Sequence, residues 1–516
     1  MKKHILLITI SILSLNLFAQ DFNIVKDISP GLAKTTITEI IAINNMIYFV
    51  ADDNQHGFEL WASDGTESGT YMVKDIFPGI DNFQFANSSF PLYLTNFNNT
   101  LFFYANDSIH GYELWKSDGT EAGTVMVKDI YQGKENSLIE GFTLCNNTLF
   151  FKADDGVNGL ELWKTDGTEQ GTVMMKDIAS GIFGSNPNYL KCWNNNLYFS
   201  AYTEALGEEL WKSDGTTAGT NLFADITPGE QSSLPAHLTP VNSRLYLIAE
   251  CDFWVLEEGS SMPVKLLLSP GWSGPSSLTK SGDNVFFAFT SETTQREIWK
   301  SNGTIDGSKE IKDIYAGDGS SNPDKLIDIN GTVFFVADDG IRGRILWKSD
   351  GTAAGTKYVY DINLQQEFEY SPTHLYNFSD NLIFWMNDKI HGKELWMSNL
   401  IIDSTYMVND IFPGTGGSLD ASVTTMAHIG NRLYFPASDS IHGNELGYIE
   451  FPTLDINKIS KINSTINTYP NPLKNILYVD IPANLQACHI SIMDMLGRDI
   501  YSSPISDNTT TPFKVD

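Results

Sequence analysis

The stretch His110-Gly-Tyr-Glu-Leu-Trp-Lys-Ser-Asp-Gly-Thr-Glu-Ala-Gly-Thr-Val-Met-Val-Lys-Asp-Ile130 decides the fold, because it recurs along most of this 516-residue chain. A tryptophan marks the copies, at Trp61, Trp115, Trp163, Trp211, Trp299, Trp347 and Trp396. Their spacings of 54, 48, 48, 88, 48 and 49 residues indicate a period of about 48, and the interval of 88 contains a degenerate unit around Phe253-Trp254-Val255. A ninth copy, His442–Leu446, has Gly447 in place of the tryptophan. Such periods are typical of solenoids and propellers.

Each repeat divides into four short segments of strand character. In the second copy these segments are Pro91–Thr95, Leu101–Ala105, Glu113–Ser117 and Val125–Ile130. Asn-rich and Asp-Gly turns separate them, and these residues accept the positive φ angles of tight hairpins. Because apolar residues lie on both faces of the strands, each four-stranded antiparallel unit must be covered on both sides by its neighbours. We therefore predict an all-β fold of stacked units.

The two ends of the array predict that it closes into a ring. The chain begins with an isolated fourth segment, Asn23–Ile28, and the last copy ends after its third segment, at Ile449. One end therefore completes the other, which suits a closed β-propeller better than an open solenoid. The second segment occurs nine times, so residues 21–451 are predicted to form nine four-stranded antiparallel blades, with eight as the alternative.

The composition limits the classes of partner. The chain has 33 Lys and Arg against 63 Asp and Glu, a formal net charge of −30. Nucleic acid is not an expected partner, because binding phosphates requires a basic face. Acidic pairs such as Asp52-Asp53, Asp154-Asp155 and Asp338-Asp339 could attract Ca²⁺, but they lack the alternating-ligand spacing of a Ca²⁺ loop, and turn formation is favoured. We predict no metal and no cofactor.

The N-terminus has the features of a signal peptide. Lys2-Lys3 precede an apolar run, Ile5–Phe18, and the small residue Ala19 follows it. This pattern predicts that residues 1–19 direct export and are removed near Ala19. No later stretch has the length of uninterrupted apolar sequence that a membrane helix needs, so we predict no transmembrane segment after cleavage.

The repeated residues have structural interpretations. The tryptophan is predicted to fill the space between blades, with its indole N–H bound to a backbone acceptor. The glutamate two residues before it, such as Glu113, is predicted to pair with the lysine of the fourth strand, such as Lys128. Cys145 and Cys192 precede equivalent strands and are predicted to be buried thiols. A disulfide between them is the minor alternative, because like positions in neighbouring units usually lie too far apart.

The phrase Glu-Leu-Trp-x-x-Asp-Gly-Thr resembles the ELWxxDGT repeat of large exported bacterial proteins. It is complete at residues 59–66, 113–120, 161–168 and 209–216, and residues 345–352 differ only in having Ile345 instead of glutamate. The resemblance covers about 430 of the 516 residues. It implies a repeat architecture and an extracellular setting, and it carries no catalytic residues.

The C-terminal part resembles a type IX secretion sorting domain of Bacteroidota. The motifs are Tyr469–Pro472, Ile476–Val479 and Ile490–Arg498. The resemblance implies a small β-sandwich over residues 468–516, joined to the propeller by a linker at 452–467, and recognition by the type IX secretion machinery. The family's final Leu-Ser and Gly-x-Tyr segments and its basic tail are missing here, which implies a truncated sorting domain. The expected location is secreted or cell-surface, reached through the periplasm.

The sequence offers little catalytic chemistry. It contains no phosphate-binding loop, no H-E-x-x-H motif and no Cys/His cluster, and we predict no catalytic residues. Residues 251–279 depart from the consensus, so Trp254 and Trp272 are predicted to bind a ligand, with simple sequence drift as the alternative. We expect a protein that is not an enzyme but a noncatalytic binding or adhesion scaffold for an extracellular glycan or protein. The alternative is a secreted hydrolase or lyase that acts on polysaccharide at the axial mouth of the propeller.

Overall fold

The computed structural model describes two compact units, of which Gln20–Phe451 is the larger. The described residues of this larger unit are 21–30, 35–270, 274–291, 295–360, 371–399, 404–418, 425–439 and 441–451. They contain strands and turns and no helix. Accordingly, these residues include no helix long and apolar enough to cross a membrane.

The larger unit is a propeller of nine four-stranded antiparallel blades. The first strands of blades 1 to 9 are Thr36–Ile43, Leu92–Phe97, Glu140–Cys145, Asn188–Trp193, Ala236–Val241, Ser276–Ser281, Asp324–Ile329, Thr373–Phe378 and Ala427–Ile429. The second strands are Met46–Asp52, Thr100–Asn106, Thr148–Asp154, Asn196–Thr203, Arg244–Ala249, Asn284–Thr290, Thr332–Asp338, Asn381–Asn387 and Arg432–Asp439. The third strands are Phe58–Ser63, Tyr112–Ser117, Leu160–Thr165, Gly207–Ser213, Asp252–Glu257, Arg296–Ser301, Arg344–Ser349, Lys393–Asn399 and Gly443–Glu450. The fourth strands of blades 1 to 8 are Thr70–Lys74, Val125–Lys128, Val173–Lys176, Asn221–Ala224, Val264–Leu267, Lys309–Lys312, Lys357–Tyr358 and Ser404–Asn409.

The ninth blade takes its fourth strand from the start of the chain, which confirms the predicted closure. Phe22–Ile24 pairs antiparallel with the third strand of blade 9, with Phe22 opposite Ile449 and Ile24 opposite Gly447. A buried carboxylate fastens the same junction, because Glu445 accepts hydrogen bonds from the backbone N–H groups of Ile28 and Ser29, both at 3.1 Å. The nine-blade count and the joining of the two ends are therefore both correct.

The core lies between blades, because the middle strands are apolar on both faces. The second strands typically bury five consecutive residues, as at Leu101–Ala105. One cluster joins Tyr48 and Leu60 of blade 1 to Phe103 and Trp115 of blade 2, and the other interfaces repeat this arrangement. Each blade therefore depends on its neighbours for burial of its apolar side chains.

The repeated glutamate does not pair with the fourth-strand lysine, so that prediction was wrong. Glu59 is fully buried, and it accepts hydrogen bonds from Ile76 N at 3.0 Å, Ser89 N at 2.9 Å and Ser89 Oγ at 2.6 Å. These donors belong to the connection that leads into the next blade. Burial is the largest influence on the carboxyl and raises the pKa of Glu59 to about 7.

The fourth-strand lysine instead joins neighbouring blades. Lys74 donates to the carbonyl oxygen of Thr124 in blade 2 at 2.9 Å, and its ammonium lies 5.9 Å from the centre of the Trp115 ring. The same cation–π arrangement recurs between Lys128 and Trp163. The predicted backbone acceptor for the indole N–H was wrong, since Trp115 Nε1 has no hydrogen-bond partner within the described part of the chain.

Cys145 and Cys192 form a disulfide, contrary to the prediction of two buried thiols. Their Cα atoms are 5.3 Å apart, although 47 residues separate them in sequence. Both residues lie on first strands, and the first strands of consecutive blades contact one another. Equivalent positions of neighbouring blades converge near the axis of a propeller and diverge at its rim. The expectation that such positions lie too far apart for a disulfide therefore holds only for the outer strands.

The second unit contains five short strands among its described residues. Asn467–Tyr469, Leu477–Asp480 and Phe513–Val515 form a three-stranded sheet, and Cys488–Met493 pairs with Asp499–Ile505. The β-sandwich expected for residues 468–516 stays a prediction, as do the boundaries of the signal peptide and the linker.

Candidate functional site

The first strands form the inner wall of the propeller, around its axial channel. Each first strand contacts the first strand of the next blade, from blade 1 to blade 8. Because the faces of each blade are covered by its neighbours, solvent-exposed side chains on these strands face the channel. This wall is the place where side chains from several blades approach one another.

A β-bulge recurs in the first strand of blades 2 to 8 and places one residue of each in the left-handed region. The φ angles lie between 53° and 74°, and we call these residues the bulge ring: Tyr93, Gly141, Tyr189, His237, Ser277, Lys325 and His374. In blade 2 the bulge falls between Leu92 and Thr95. Six of the seven residues are not glycine, and each such residue costs about 1–3 kcal/mol of backbone strain. Bulges of this kind re-aim side chains and are common beside functional sites.

The bulge ring keeps one backbone shape while its side chains vary. Blades 2, 4 and 5 contribute aromatic rings, and those of Tyr189 and His237 lie 5.6 Å apart between centroids. Blades 7 and 8 contribute Lys325 and His374. The variation contrasts with the outer strands, where tryptophan, glutamate and lysine recur from blade to blade.

The acidic groups of the channel wall in blades 1 to 3 are already engaged. Glu39 accepts hydrogen bonds from the backbone N–H groups of Tyr93 and Leu94, both at 2.9 Å. Glu140 pairs with Lys152, with Oε2 and Nζ 2.9 Å apart. A cleft of about 510 Å³ opens between blades 1 and 2 beside Glu39, but the rest of its lining is mainly apolar. Neither carboxylate is available as a free acid or base.

Blades 6 to 8 carry a cluster of cations, which we call the cationic arc: Arg296, Lys325, Arg344 and Lys393. Arg296, Arg344 and Lys393 each begin the third strand of their blade and directly precede the position of the repeated glutamate. In blades 1 to 4 that position holds Phe58, Tyr112, Leu160 and Glu208. Three neighbouring blades therefore place a positive charge at one register where the other blades do not.

The hydrogen bonds of Arg296 and Lys325 go to neutral oxygens, and Arg344 pairs with a carboxylate. Arg296 donates to the backbone oxygen of Gly274 and to the hydroxyl of Ser276. Lys325 bridges blades 7 and 8 by donating to the backbone oxygen of Pro372 at 3.0 Å. Arg344 pairs with Asp324, with Nη2 and Oδ1 2.6 Å apart.

Burial and nearby positive charge lower the pKa values of Lys325, Lys393 and His374. Desolvation is the largest cause for Lys393, followed by the charge of Lys325. Desolvation also lowers the pKa of Lys325, assisted by Arg344 and opposed by Asp324. The pKa of His374 falls below its usual value through burial and the charges of Lys393 and Lys325. Lys325 of blade 7 therefore acts on Lys393 and His374 of blade 8 across the boundary between the two blades.

His374 is therefore a neutral imidazole at pH 7. Its Nδ1 is buried and has no hydrogen-bond partner among the residues that the structure describes. A neutral imidazole can accept a proton, and adjacent cations stabilise negative charge that develops nearby. The chemistry available here is acid–base catalysis on a substrate that carries or acquires negative charge.

Trp254, one of the two residues predicted as ligand contacts, is not among the residues of this site. Trp254 occupies the tryptophan position of blade 5, opposite Leu247 as Trp61 is opposite Phe49. Its Nε1 donates to Ala249 O at 2.9 Å, and Lys265 lies 4.7 Å from its ring centre. Trp272 lies outside the described residues. The ligand role of both residues stays a prediction.

Sequence reasoning missed the cationic arc, although a usable signal was present. Alignment of the repeats on their glutamate shows Arg296 and Lys393 directly before it, and Arg344 directly before the Ile345 that replaces it. The bulge ring left no such signal, because its residues share a φ angle and not a residue type.

The acidic loops between second and third strands use their carboxylates in turns. In blade 1, Asp53 Oδ1 accepts from the backbone N–H groups of Gln55 and His56, and Oδ2 contacts His56 Nδ1 at 2.7 Å. In blade 3, Asp155 makes equivalent bonds to Val157 and Asn158. The described residues include no group of three or more His, Cys, Asp or Glu side chains able to hold a metal ion.

Two comparisons with known proteins bear on the class of this protein. Residues 467–516 match the family described as the secretion system C-terminal sorting domain, which confirms the resemblance to type IX sorting domains. This tail implies a secreted or cell-surface protein. No curated protein matches the chain. The ELWxxDGT resemblance is not tested by these findings.

Solved structures with a similar fold include several hydrolases. Puromycin hydrolase is 11% identical, with a TM-score of 0.34 and coverage of 70% of this chain and 60% of that one. A puromycin-hydrolyzing peptidase of Mycobacterium tuberculosis is 10% identical, with a TM-score of 0.35 and coverage of 70% and 59%. A prolyl endopeptidase structure is 8% identical, with a TM-score of 0.37 and coverage of 72% and 54%. This chain therefore spans less than two thirds of their length.

These neighbours are hydrolases and peptidases, which is at odds with the expected noncatalytic binding or adhesion scaffold. They also leave the expectation of a protein without enzymatic activity unconfirmed. At these TM-scores the likeness concerns the fold and assigns neither catalytic residues nor a substrate to this chain.

Proposed function

We propose that this protein is an exported hydrolase whose active site lies in the channel wall between blades 7 and 8. The observation that carries the proposal is that Lys325 Nζ donates to the backbone oxygen of Pro372, two residues before the half-buried His374. The charges of Lys393 and Lys325 also act on the His374 imidazole and lower its pKa after burial. The support comes from these side chains and not from the similar solved structures.

The proposed roles follow from the charge of each group. Neutral His374 accepts a proton from water as the water attacks the substrate, so the imidazole becomes positively charged. Lys325 and Lys393 stabilise the negative charge that forms on the substrate oxygen in the transition state. The left-handed backbone at His374, with φ 53°, holds the imidazole on the channel wall. The proton then passes from the imidazole to the leaving group, which completes the hydrolysis.

The test is a hydrolysis screen with the purified full chain on polysaccharides, peptides and esters. We expect turnover of at least one class, and a loss of about 100-fold or more in kcat/KM for His374→Ala, which is typical of removing a general base. The matched control is Tyr93→Ala, which changes the equivalent bulge-ring residue of blade 2. Absence of hydrolysis by the wild-type protein across the screen, or equal activity of His374→Ala, would overturn the proposal.

We further propose that residues 1–19 direct the chain to the periplasm and that the sorting domain engages the type IX machinery. The match at residues 467–516 supports the second step. Cell fractionation compares the full chain with a chain that lacks residues 467–516. The full chain is expected outside the cell or at its surface, and the shortened chain in the periplasm. Equal export of both chains would contradict this route.

A further inference from the structure

The cationic arc stands out against the charge of the whole molecule. The chain has a formal net charge of −30, yet three consecutive blades place Arg296, Arg344 and Lys393 at the first position of their third strands. Lys325 adds a fourth cation from the bulge ring. The side chains of the third-strand cations reach first strands, because Arg296 donates to Ser276 and Arg344 pairs with Asp324. Lys325 lies on a first strand itself. Positive charge therefore borders the inner wall in neighbouring blades of the ring.

The cations of the arc differ in the charge of their partners. Arg344 has a carboxylate partner, Asp324, whose side chain is 44% exposed. Arg296 and Lys325 are bound to backbone and hydroxyl oxygens, which carry no formal charge. Desolvation lowers the pKa of both Arg296 and Lys325, and at Lys325 the charge of Asp324 opposes the shift while that of Arg344 adds to it. An anion bound here would supply the missing charge.

The geometry suits a chain of linked anionic units better than a single ion. The cations are spread over three blades, and the bulge ring continues into blades 5 and 4 with His237 and Tyr189, which are both exposed to solvent. Flat aromatic rings with a polar edge pack against the apolar faces of sugar rings while keeping their hydrogen bonds. Arginine and lysine bind carboxylate and sulfate oxygens through charge-assisted hydrogen bonds.

We infer that the cationic arc binds the anionic groups of an acidic polysaccharide, and that this is the substrate class of the hydrolase proposed above. Calling this polysaccharide a substrate rests on the proposed function. Its binding to the cationic arc does not. Carboxylate groups of uronic acids and sulfate esters share the chemistry that the arc recognises.

The experiment measures binding by calorimetry with three probes: oligogalacturonate, sulfated dextran and neutral dextran. The proteins are the full chain, Lys325→Met/Lys393→Met and the control Lys309→Met, which removes an exposed lysine of a fourth strand. We expect at least one acidic probe to bind the full chain and Lys309→Met equally, and about tenfold or more weaker to the double variant. Which acidic probe binds distinguishes carboxylate from sulfate. Thermal melts show that each variant is folded, and Lys393→Arg is expected to retain binding.

Equal affinity for neutral and acidic probes, or unchanged affinity of the folded double variant, would overturn the inference. Its failure is separable from failure of the proposed function. Binding of an acidic probe without hydrolysis supports the anion site and contradicts the hydrolase. Hydrolysis of a neutral substrate, without any binding of acidic probes, supports the hydrolase and contradicts the anion site.

Discussion

The rim and the axis of this propeller follow different rules. At the rim, backbone and side chains repeat together: Trp115 packs against the neighbouring blade, Glu113 is fully buried and Lys74 crosses to the next blade. At the axis only the backbone repeats, and the bulge ring holds a different side chain in nearly every blade. At the rim, packing between blades determines the residue type, so the side chains are constant. At the axis the strained backbone is constant but packing does not determine the residue type, so these positions can carry binding or catalytic side chains.

The closing strand is the most demanding test of the rim. Deleting residues 21–28 should abolish cooperative unfolding and cause aggregation, because it exposes the edge of Gly443–Glu450 and removes Ile28, one of the backbone donors to Glu445. Circular dichroism melts and size-exclusion chromatography measure this outcome. Asn23→Ala, which alters an exposed side chain in the same strand, is the control and should melt like wild type. A deletion variant with a wild-type melt would contradict closure by this strand.

Raising the pH from 5 to 8 should lower the melting temperature by more than any single substitution below. Burial raises the pKa of Glu59, Glu394 and Glu445 to about 7 and that of Glu113 to about 8. Between the unfolded value near 4.5 and these folded values, the native state binds more protons than the unfolded state, so stability falls as pH rises. Histidines with raised pKa values in the loops act in the same direction.

The pH effect can be assigned with one variant. Glu113→Gln keeps the size of the side chain but cannot ionise, so its melting temperature should depend less steeply on pH than that of wild type. Melts at unit steps from pH 5 to pH 8 provide the comparison. A stability that rises across this range would show that the buried carboxyls are ionised in the native state.

Trp115→Ala should destabilise the propeller by about 3–5 kcal/mol, as expected for a buried aromatic residue. Trp254→Ala in the degenerate blade should cost less, because Trp254 is only partly buried and Lys265 covers its ring. Urea denaturation gives both values. Equal losses would show that the degenerate blade packs its tryptophan as firmly as the consensus blades.

Removing the disulfide should cost about 2–4 kcal/mol, since the bridge closes a loop of 47 residues in the unfolded chain. The variant Cys145→Ser/Cys192→Ser is compared with Cys251→Ser, which changes a free cysteine. The same denaturation assay applies, under non-reducing conditions. No loss of stability in the double variant would indicate that the packing of first strands alone fixes the axis.

The smallest effect is expected at the axis itself. His237→Gly should change the free energy of unfolding by less than about 1 kcal/mol, because glycine relieves the left-handed strain at φ 53° and offsets the lost ring contact. His237→Ala keeps the strain and serves as the comparison. A loss as large as that of Trp115→Ala would place this residue among the packing positions and remove the distinction between rim and axis.

The structure of the rim could be predicted from the sequence because the residues that pack between blades recur in every repeat. Nine second strands and a displaced fourth strand gave the blade count and the closure, although the closing strand is Phe22–Ile24 and not Asn23–Ile28. The same periodicity could not predict the bulges and the disulfide at the axis. A bulge is a property of the backbone that Tyr93 and Lys325 share without any similarity of side chain, and convergence of strands at the axis brings Cys145 to Cys192.

The joining of the two ends has a consequence for the order of folding. Ile28 and Glu445 are 417 residues apart in sequence, and their contact exists only when every intervening blade is in place. Blades that contact only their neighbours can form one after another, but closure must await the last of them. The entropy of bringing distant ends together grows slowly with chain length, so the preformed arc of blades makes this final step feasible. Until it occurs, the ninth blade presents an unpaired strand, and the newly made protein passes through an open, association-prone stage.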